Sequence, residues 1–173
     1  MSVLLEGAGG VAVLGLQLAK LFGARVIMTT SSEDRAQRLK ALGADDVINY
    51  RENPDWHNRV RELTGGIGVD VGVDIGGAET LDKTIASTRP GGRLALVGLL
   101  TGWPESTSKL FSTGLNFHSI KVGSRYDFEM MNRAIGYHQL RPVIDSQFAF
   151  DQLKEALSRL KSGKHFGKIV IRF

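Results

Sequence analysis

Apolar positions along the chain fall into short unbroken runs, separated by longer stretches with helical spacing. Residues 3–5, 25–29, 46–50, 69–75 and 93–97 read as buried strands, several of them rich in Val and Ile. Residues 119–123 read as a sixth strand, and the KIVIRF run at 168–173 as a last β-branched one. Between these, residues 11–22 read as a helix apolar on nearly every face, closed by Gly23. Ser31 or Ser32 caps a second helix, with Glu33 and Asp34 in its first turn, running to Leu42 and stopping at Gly43. Asn53-Pro54 supplies an N-cap and first-turn proline for a third, through Leu63. Residues 80–88 form a fourth, stopped by Pro90-Gly91-Gly92. Residues 128–137 and 151–161 form two more, the latter with Leu153, Ala156, Leu157 and Leu160 on one face. The Thr-, Ser-, Gly- and Pro-rich stretch 99–116 reads as irregular.

Strands that are continuously apolar are buried on both faces, and regular alternation with helices makes them parallel. The expected architecture is a doubly wound α/β sheet, Rossmann-like, with six main strands and a short C-terminal helix–strand extension. Residues 1–141 are expected to form a dinucleotide-binding domain and residues 142–173 the extension. In such a sheet the ligand lies beyond the carboxyl ends of the strands, where the strand order reverses. Gly7, Gly9 and Gly10 follow the first strand, and Gly7-x-Gly9-x-x-Ala12 matches the G-x-G-x-x-A dinucleotide pattern. Gly7 permits the tight turn and Gly9 lets the backbone approach a pyrophosphate. Ala12 and Gly15 let the helix lie close to the strand, and the helix start offers unpaired N–H groups to an anion.

The totals narrow the picture. The 173 residues suit one domain, and 42% hydrophobic with 23% charged content suits a soluble globule. No apolar run is long enough to span a bilayer, and Glu6 with the glycines breaks the first apolar stretch too early for a secretory signal. Zero Cys excludes disulfides and thiolate metal sites and fits a cytoplasmic protein. The net charge of +4 suits an anionic ligand such as a nucleotide. The basic residues are scattered and no aromatic stripe interleaves with them, which argues against nucleic acid. His57, His118, His138 and His165 form no ligand cluster in the sequence, and no metal site is expected in this chain.

The second strand ends in Thr29-Thr30-Ser31-Ser32, where a cofactor with a free ribose 2′-hydroxyl would meet a carboxylate. Ser31, Ser32 and Arg35 suit a 2′-phosphate instead, which favours NADP, with NAD as the alternative. The serines equally serve as helix caps, and the two roles are compatible.

The stretches GAGGVAVLGLQLAKLFGARVI, RLKALGADDVINYRE, GVDVGVDIGG, RPGGRLALVG and HFGKIVI together resemble the cofactor domain of the medium-chain dehydrogenase/reductase superfamily, in its zinc-type alcohol dehydrogenase and quinone oxidoreductase branch. The resemblance implies hydride transfer between a nicotinamide and an alcohol/carbonyl or quinone/enone substrate. It implies Gly9, Gly10 and Val11 at the pyrophosphate, and Ser31, Arg35 and Tyr50 at the 2′-phosphate end. Ile75 and Gly76 fall beside the adenosine, Val97, Leu99 and Val122 beside the nicotinamide, and Arg125 and Lys168 at cofactor-contacting positions. It also implies an amino-terminal GroES-like β-barrel domain that holds most of the substrate pocket and, in zinc members, the metal ligands. These residues contain no such domain, so no catalytic residue is expected here and the chain alone is expected to be inactive. The part from about Pro142 is expected to pack against that domain, leaving Phe148, Phe150 and the KIVIRF run exposed. Homodimerisation is expected through the sixth-strand edge, with residues 110–117 before it. A stand-alone nucleotide-binding or redox-sensing module is the second reading. An S-adenosylmethionine-dependent methyltransferase is the third, and the missing acidic residue after the second strand argues against it.

Overall fold

A computed structural model of the chain describes residues 1–104, 110 and 112–173. Among the described residues, six strands form one sheet: β1 (Ser2–Glu6), β2 (Arg25–Thr30), β3 (Asp46–Asn49), β4 (Val69–Asp74), β5 (Thr88–Leu96) and β6 (Asn116–Ser119). Their order is β3-β2-β1-β4-β5-β6 and every pairing is parallel. The order reverses between β1 and β4, the switch point of a doubly wound fold. The helices α1 (Gly10–Leu21), α2 (Glu33–Ala41), α3 (Trp56–Leu63) and α4 (Leu81–Ser87) connect the strands. Then come α5 (Arg125–Tyr137), β7 (Ile144–Ala149), a 3₁₀ turn at Phe150–Gln152, α6 (Leu153–Lys161) and β8 (Lys168–Arg172). β7 and β8 pair in parallel as a separate two-stranded sheet.

The first three strands show why the sheet needs cover on both sides. Val3 and Leu5 of β1, with Val26 and Met28 of β2, pack under Ala12, Val13 and Leu16 of α1. Leu4 and Ile27, pointing the other way, pack with Ile48, Trp56, Val60 and Val69. Each fully buried Leu or Ile stabilises the fold by about 1.5–3 kcal/mol. α2 starts as expected, with Ser32 Oγ accepting the Arg35 N–H at 3.4 Å.

Four expectations are corrected. The third helix begins at Trp56 after Asp55, with no side-chain cap, so Asn53-Pro54 lies in the loop before it. β5 begins at Thr88, five residues before Arg93, because Thr88 pairs with Val69 and Gly91 donates its N–H to Gly114 O at 3.1 Å. β6 lies at Asn116–Ser119 rather than 119–123, fixed by the pairing of Arg93 with Asn116 and by Asn116 Nδ2 donating to Gly91 O at 3.1 Å. Ile144–Ala149, not expected as a strand, pairs with β8. Part of the expected irregular stretch 99–116 lies outside the described residues.

The extension is tied to the larger sheet. Phe166, 1% exposed, belongs to the same core as α1, with Val143 packed beside it. Gly167 donates its N–H to Ala8 O at 3.2 Å, and the Arg38 guanidinium lies 3.9 Å over the Phe166 ring. On its other side, Phe150, Leu157, Leu160 and Phe173 are exposed, whereas Phe148 is half-buried.

Candidate functional site

The glycine turn sits at the switch point. Gly7 has φ +81°, a conformation that L side chains rarely adopt, and its N–H donates to Thr29 O at 2.9 Å. Gly9 is the N-cap of α1, with no side-chain cap and no acidic residue in the first turn. Nothing in the helix start therefore competes with an anion for the first N–H groups and the positive dipole end. A Cβ on Gly10 would lie 2.8 Å from Lys168 Cδ, so the Lys168 side chain is folded against the helix start. His165 Nε2 would lie 3.8 Å from a Cβ on Gly9, and His165 Nδ1 is buried without a partner. The loop before β8 and the first residue of the strand thus bring an imidazole and an ammonium to the glycine turn. This arrangement suits an anion such as a pyrophosphate: a glycine turn that lets the backbone approach, a helix N-terminus, and the His165 and Lys168 side chains close beside Gly9 and Gly10.

Two cavities flank the switch. One of about 590 Å³ is lined by Glu6, Gly7, Tyr50, Trp56, Ile75 and Gly76, with Thr80 and Lys83 at its side. The other, about 360 Å³, is lined by Gly77, Val97, Leu99, Trp103 and Ile120. Gly7, Tyr50, Ile75 and Gly76 thus converge on one cavity, and Val97 and Leu99 on its neighbour across the β4–α4 loop. Val11 stands exposed on the first turn of α1. Ser31 Oγ accepts from Arg35 Nη1 at 3.5 Å, and Arg35 Nη2 donates to Gly163 O. Ser31, Ser32 and Arg35 are therefore together at the end of β2, with Arg35 also holding the carboxyl-terminal loop.

Val122 and Arg125 are not brought to either cavity. Val122 is 92% exposed beyond the end of β6, and Arg125 opens α5, paired with Glu129 at 2.8 Å with its side chain 91% exposed. β6 ends at Ser119, so both follow the strand rather than lying within or directly after a strand at 119–123.

Sequence reasoning missed the polar floor of the site. Glu6 and Asp74 end neighbouring strands and are 7% and 1% exposed. Glu6 Oε2 accepts from the N–H groups of Ile75 at 3.1 Å and Gly76 at 3.2 Å. Asp74 Oδ1 accepts from Gly77 N–H at 2.9 Å, and Oδ2 from Thr80 Oγ1 at 2.9 Å. Thr84 Oγ1 lies between the two carboxyls. Burial, then the Asp74 charge, pushes the Glu6 carboxyl up to about 7, and burial likewise raises Asp74. The only signal in the sequence was a lone carboxylate at the end of each of two buried strands. His165 was equally invisible, because only the fold carries it to Gly9.

A parallel sheet in this order, with a glycine turn at its switch point and paired cavities beyond its strand ends, defines a dinucleotide-binding fold of the dehydrogenase type. A family model described as "Zinc-binding dehydrogenase" matches residues 10–136, and the chain belongs to that family. It is similar to a zinc-type alcohol dehydrogenase-like protein of Schizosaccharomyces pombe, 35% identical over 99% of this chain and 51% of that protein. A solved NAD-dependent alcohol dehydrogenase superimposes with a TM-score of 0.89 at 38% identity, over 99% of this chain and 51% of that one. A mycobacterial protein solved in complex with NADPH does so with 0.83 at 30% identity, over 98% and 56%. The chain spans about half the length of the relatives it matches and corresponds to their NAD(P)-binding half. Among the described residues no group of three or more His, Cys, Asp or Glu is placed to hold a metal ion, so these residues offer no donor set for zinc. No helix among them is long and apolar enough to cross a membrane.

Proposed function

We propose that this chain binds NADP(H) in preference to NAD(H), as the cofactor half of a cytoplasmic oxidoreductase that interconverts an alcohol and a carbonyl or reduces a quinone or enone. The observation that carries the preference is the end of β2. Two serines and Arg35 meet there, and the carboxylates that would favour a free ribose 2′-hydroxyl, Glu33 and Asp34, sit on the first turn of α2. The cofactor supplies the hydride acceptor or donor. The chain's own residues do the holding: the α1 N-terminus and Lys168 take the pyrophosphate, Tyr50 and Ile75 border the adenosine, and Val97 and Leu99 border the nicotinamide. Pairing of two copies along β6 belongs to the same reading, because β6 is the edge strand of the sheet; residues 110–117, in part outside the described residues, precede it.

Titration of the chain with NADPH, NADH and S-adenosylmethionine by calorimetry tests this. NADPH is expected to bind at one site and more tightly than NADH. Arg35→Ala is expected to weaken NADPH by about 1.5–3 kcal/mol, the range for a hydrogen bond to a charged group, and NADH far less. Equal losses for both cofactors would sink the preference. Binding of S-adenosylmethionine instead would replace the dehydrogenase reading altogether.

A further inference from the structure

The floor beneath the cofactor cradle holds two buried carboxyls, Glu6 and Asp74, whose donors among the described residues are the neutral N–H groups of Ile75, Gly76 and Gly77 and the hydroxyls of Thr80 and Thr84. Thr84 Oγ1 lies within hydrogen-bonding distance of three oxygens: Glu6 Oε1, Asp74 Oδ2 at 3.1 Å and Thr80 O at 3.1 Å. A threonine hydroxyl has one proton to donate. If both carboxyls were ionised, two like charges would meet at one hydroxyl in a buried place, with only neutral donors bonded to them among the described residues, which is costly. One proton on the pair removes the conflict. Glu6 Oε2 is already occupied by two backbone donors, so a proton on Oε1 can donate to Thr84 Oγ1, whose own proton then goes to Asp74 Oδ2. Asp74 keeps its donors from Gly77 and Thr80 and stays the ionised partner.

We propose that Glu6 is a proton-carrying positioning residue for dinucleotide binding: the Glu6–Asp74 pair, whose carboxyl oxygens hold the Ile75–Gly77 backbone, shares one proton when the anionic cofactor is bound, and binding draws that proton in from solvent. The inference rests on the dinucleotide reading of the site. Glu6 immediately precedes Gly7, so a pyrophosphate at the glycine turn sets negative charge close to this carboxyl. Like charge favours the protonated form. Burial and the Asp74 charge push the Glu6 carboxyl up to about 7, so added negative charge acts on a group already raised toward its protonated form. The other titratable groups lining the cavity beside Glu6 are Glu79 before α4, Lys83 on α4 and Tyr50 beyond β3. Lys83 Nζ is held by Pro54 O at 2.6 Å. From β2 the neighbours are Thr29 and Thr30, and from α1 they are apolar, so neither element adds a charge.

Glu6→Gln is the natural test, because the amide reproduces the neutral carboxyl: its oxygen accepts from Ile75 and Gly76 and its NH₂ donates to Thr84. Calorimetric titrations with NADPH, and again with NADH, in buffers of differing ionisation enthalpy count the protons taken up. Comparing wild type with Glu6→Gln at one dinucleotide cancels any proton carried by the nucleotide itself. The wild-type chain is expected to take up about half a proton more than the variant at pH 7, and its affinity to fall about fivefold more between pH 7 and 8. Equal proton uptake in the two proteins, or proton release by the wild type, overturns the inference while leaving the cofactor site standing. Absence of binding by either dinucleotide overturns both. If the variant does not fold, ¹³C carboxyl NMR of the wild type gives the answer: Glu6 is expected to titrate at higher pH with the dinucleotide bound, and an unmoved or lowered titration refutes the proposal.

Discussion

The stretch from β1 to β5 and the stretch after β6 bury apolar surface in different ways. In the first, strands and helices enclose Leu4, Leu16, Val26, Ile27, Met28, Leu39 and Leu94 until essentially nothing of them meets water. In the second, α5 has no buried residue, and α6 buries Ala156 while Leu153, Leu157 and Leu160 stay exposed. Phe166, with half-buried Val143 beside it, links the second region to the core of the first. The contrast separates what the fold needs from what its function needs. The glycine turn rests on a core to which the carboxyl-terminal unit adds Phe166, and the same segment carries His165 and Lys168 to the start of α1.

The comparison breaks most easily at Phe166. Phe166→Ala is expected to cost about 3–5 kcal/mol in denaturant unfolding, the range for a buried aromatic, and to loosen dinucleotide binding by releasing the His165–Lys168 loop. Unchanged affinity in a folded Phe166→Ala protein would show that the loop plays no part in the cradle. Leu16→Ala against Leu157→Ala sharpens the difference between the regions. The first is expected to destabilise by about 2–5 kcal/mol and the second by about 0.5 kcal/mol or less. Equal costs would mean that α6 is as well packed as α1.

A smaller effect comes from acid. Arg159, bonded to Asp145 at 3.0 Å through both Nε and Nη2, holds the Asp145 carboxyl down at about 2 from 3.8, with the Phe166 N–H adding to it at 2.9 Å. A carboxyl lowered on folding stabilises the protein above its unfolded pKa and loses that contribution as pH falls through the folded one. About 2 kcal/mol should therefore vanish between about pH 4 and pH 2, at about 1.4 kcal/mol per unit. Amide exchange across β7 and β8 checks it, and Arg159→Ala should flatten the dependence. Loss confined to β1–β4 would place the acid-sensitive link elsewhere.

The two regions also differed in how far they could be read from sequence. From β1 to α4 the boundaries agree within a residue or two, apart from the start of α3. A strand buried on both faces is an apolar run, and Gly23 and Gly43 close their helices with φ of +68° and +101°. Those signals are local. The start of β5 was not, because Thr88–Gly92 is extended only through its pairing with Val69 and its bonds to the segment around Gly114 and Asn116. IDSQFA carries too many polar residues to look like a strand. Its Asp145 is explained only by Arg159 and the Phe166 N–H, which the fold brings to it. The glycine turn and the meeting of Ser31, Ser32 and Arg35 at the end of β2 were legible as geometry, because each follows from a short stretch of chain at a strand end. Glu6, Asp74 and Thr84 were not, since a carboxylate at a strand end acquires meaning only when a second one ends the next strand.

Backbone amide NMR of the uniformly ¹⁵N-labelled chain, recorded with and without saturating NADPH, tests the central claim most directly. The largest shift changes are expected at residues 7–11, at 75–77, at 97–99 and at Gly167 and Lys168, with the exposed face of α6 silent. Changes confined to α5 and α6, with the glycine turn unmoved, would contradict it.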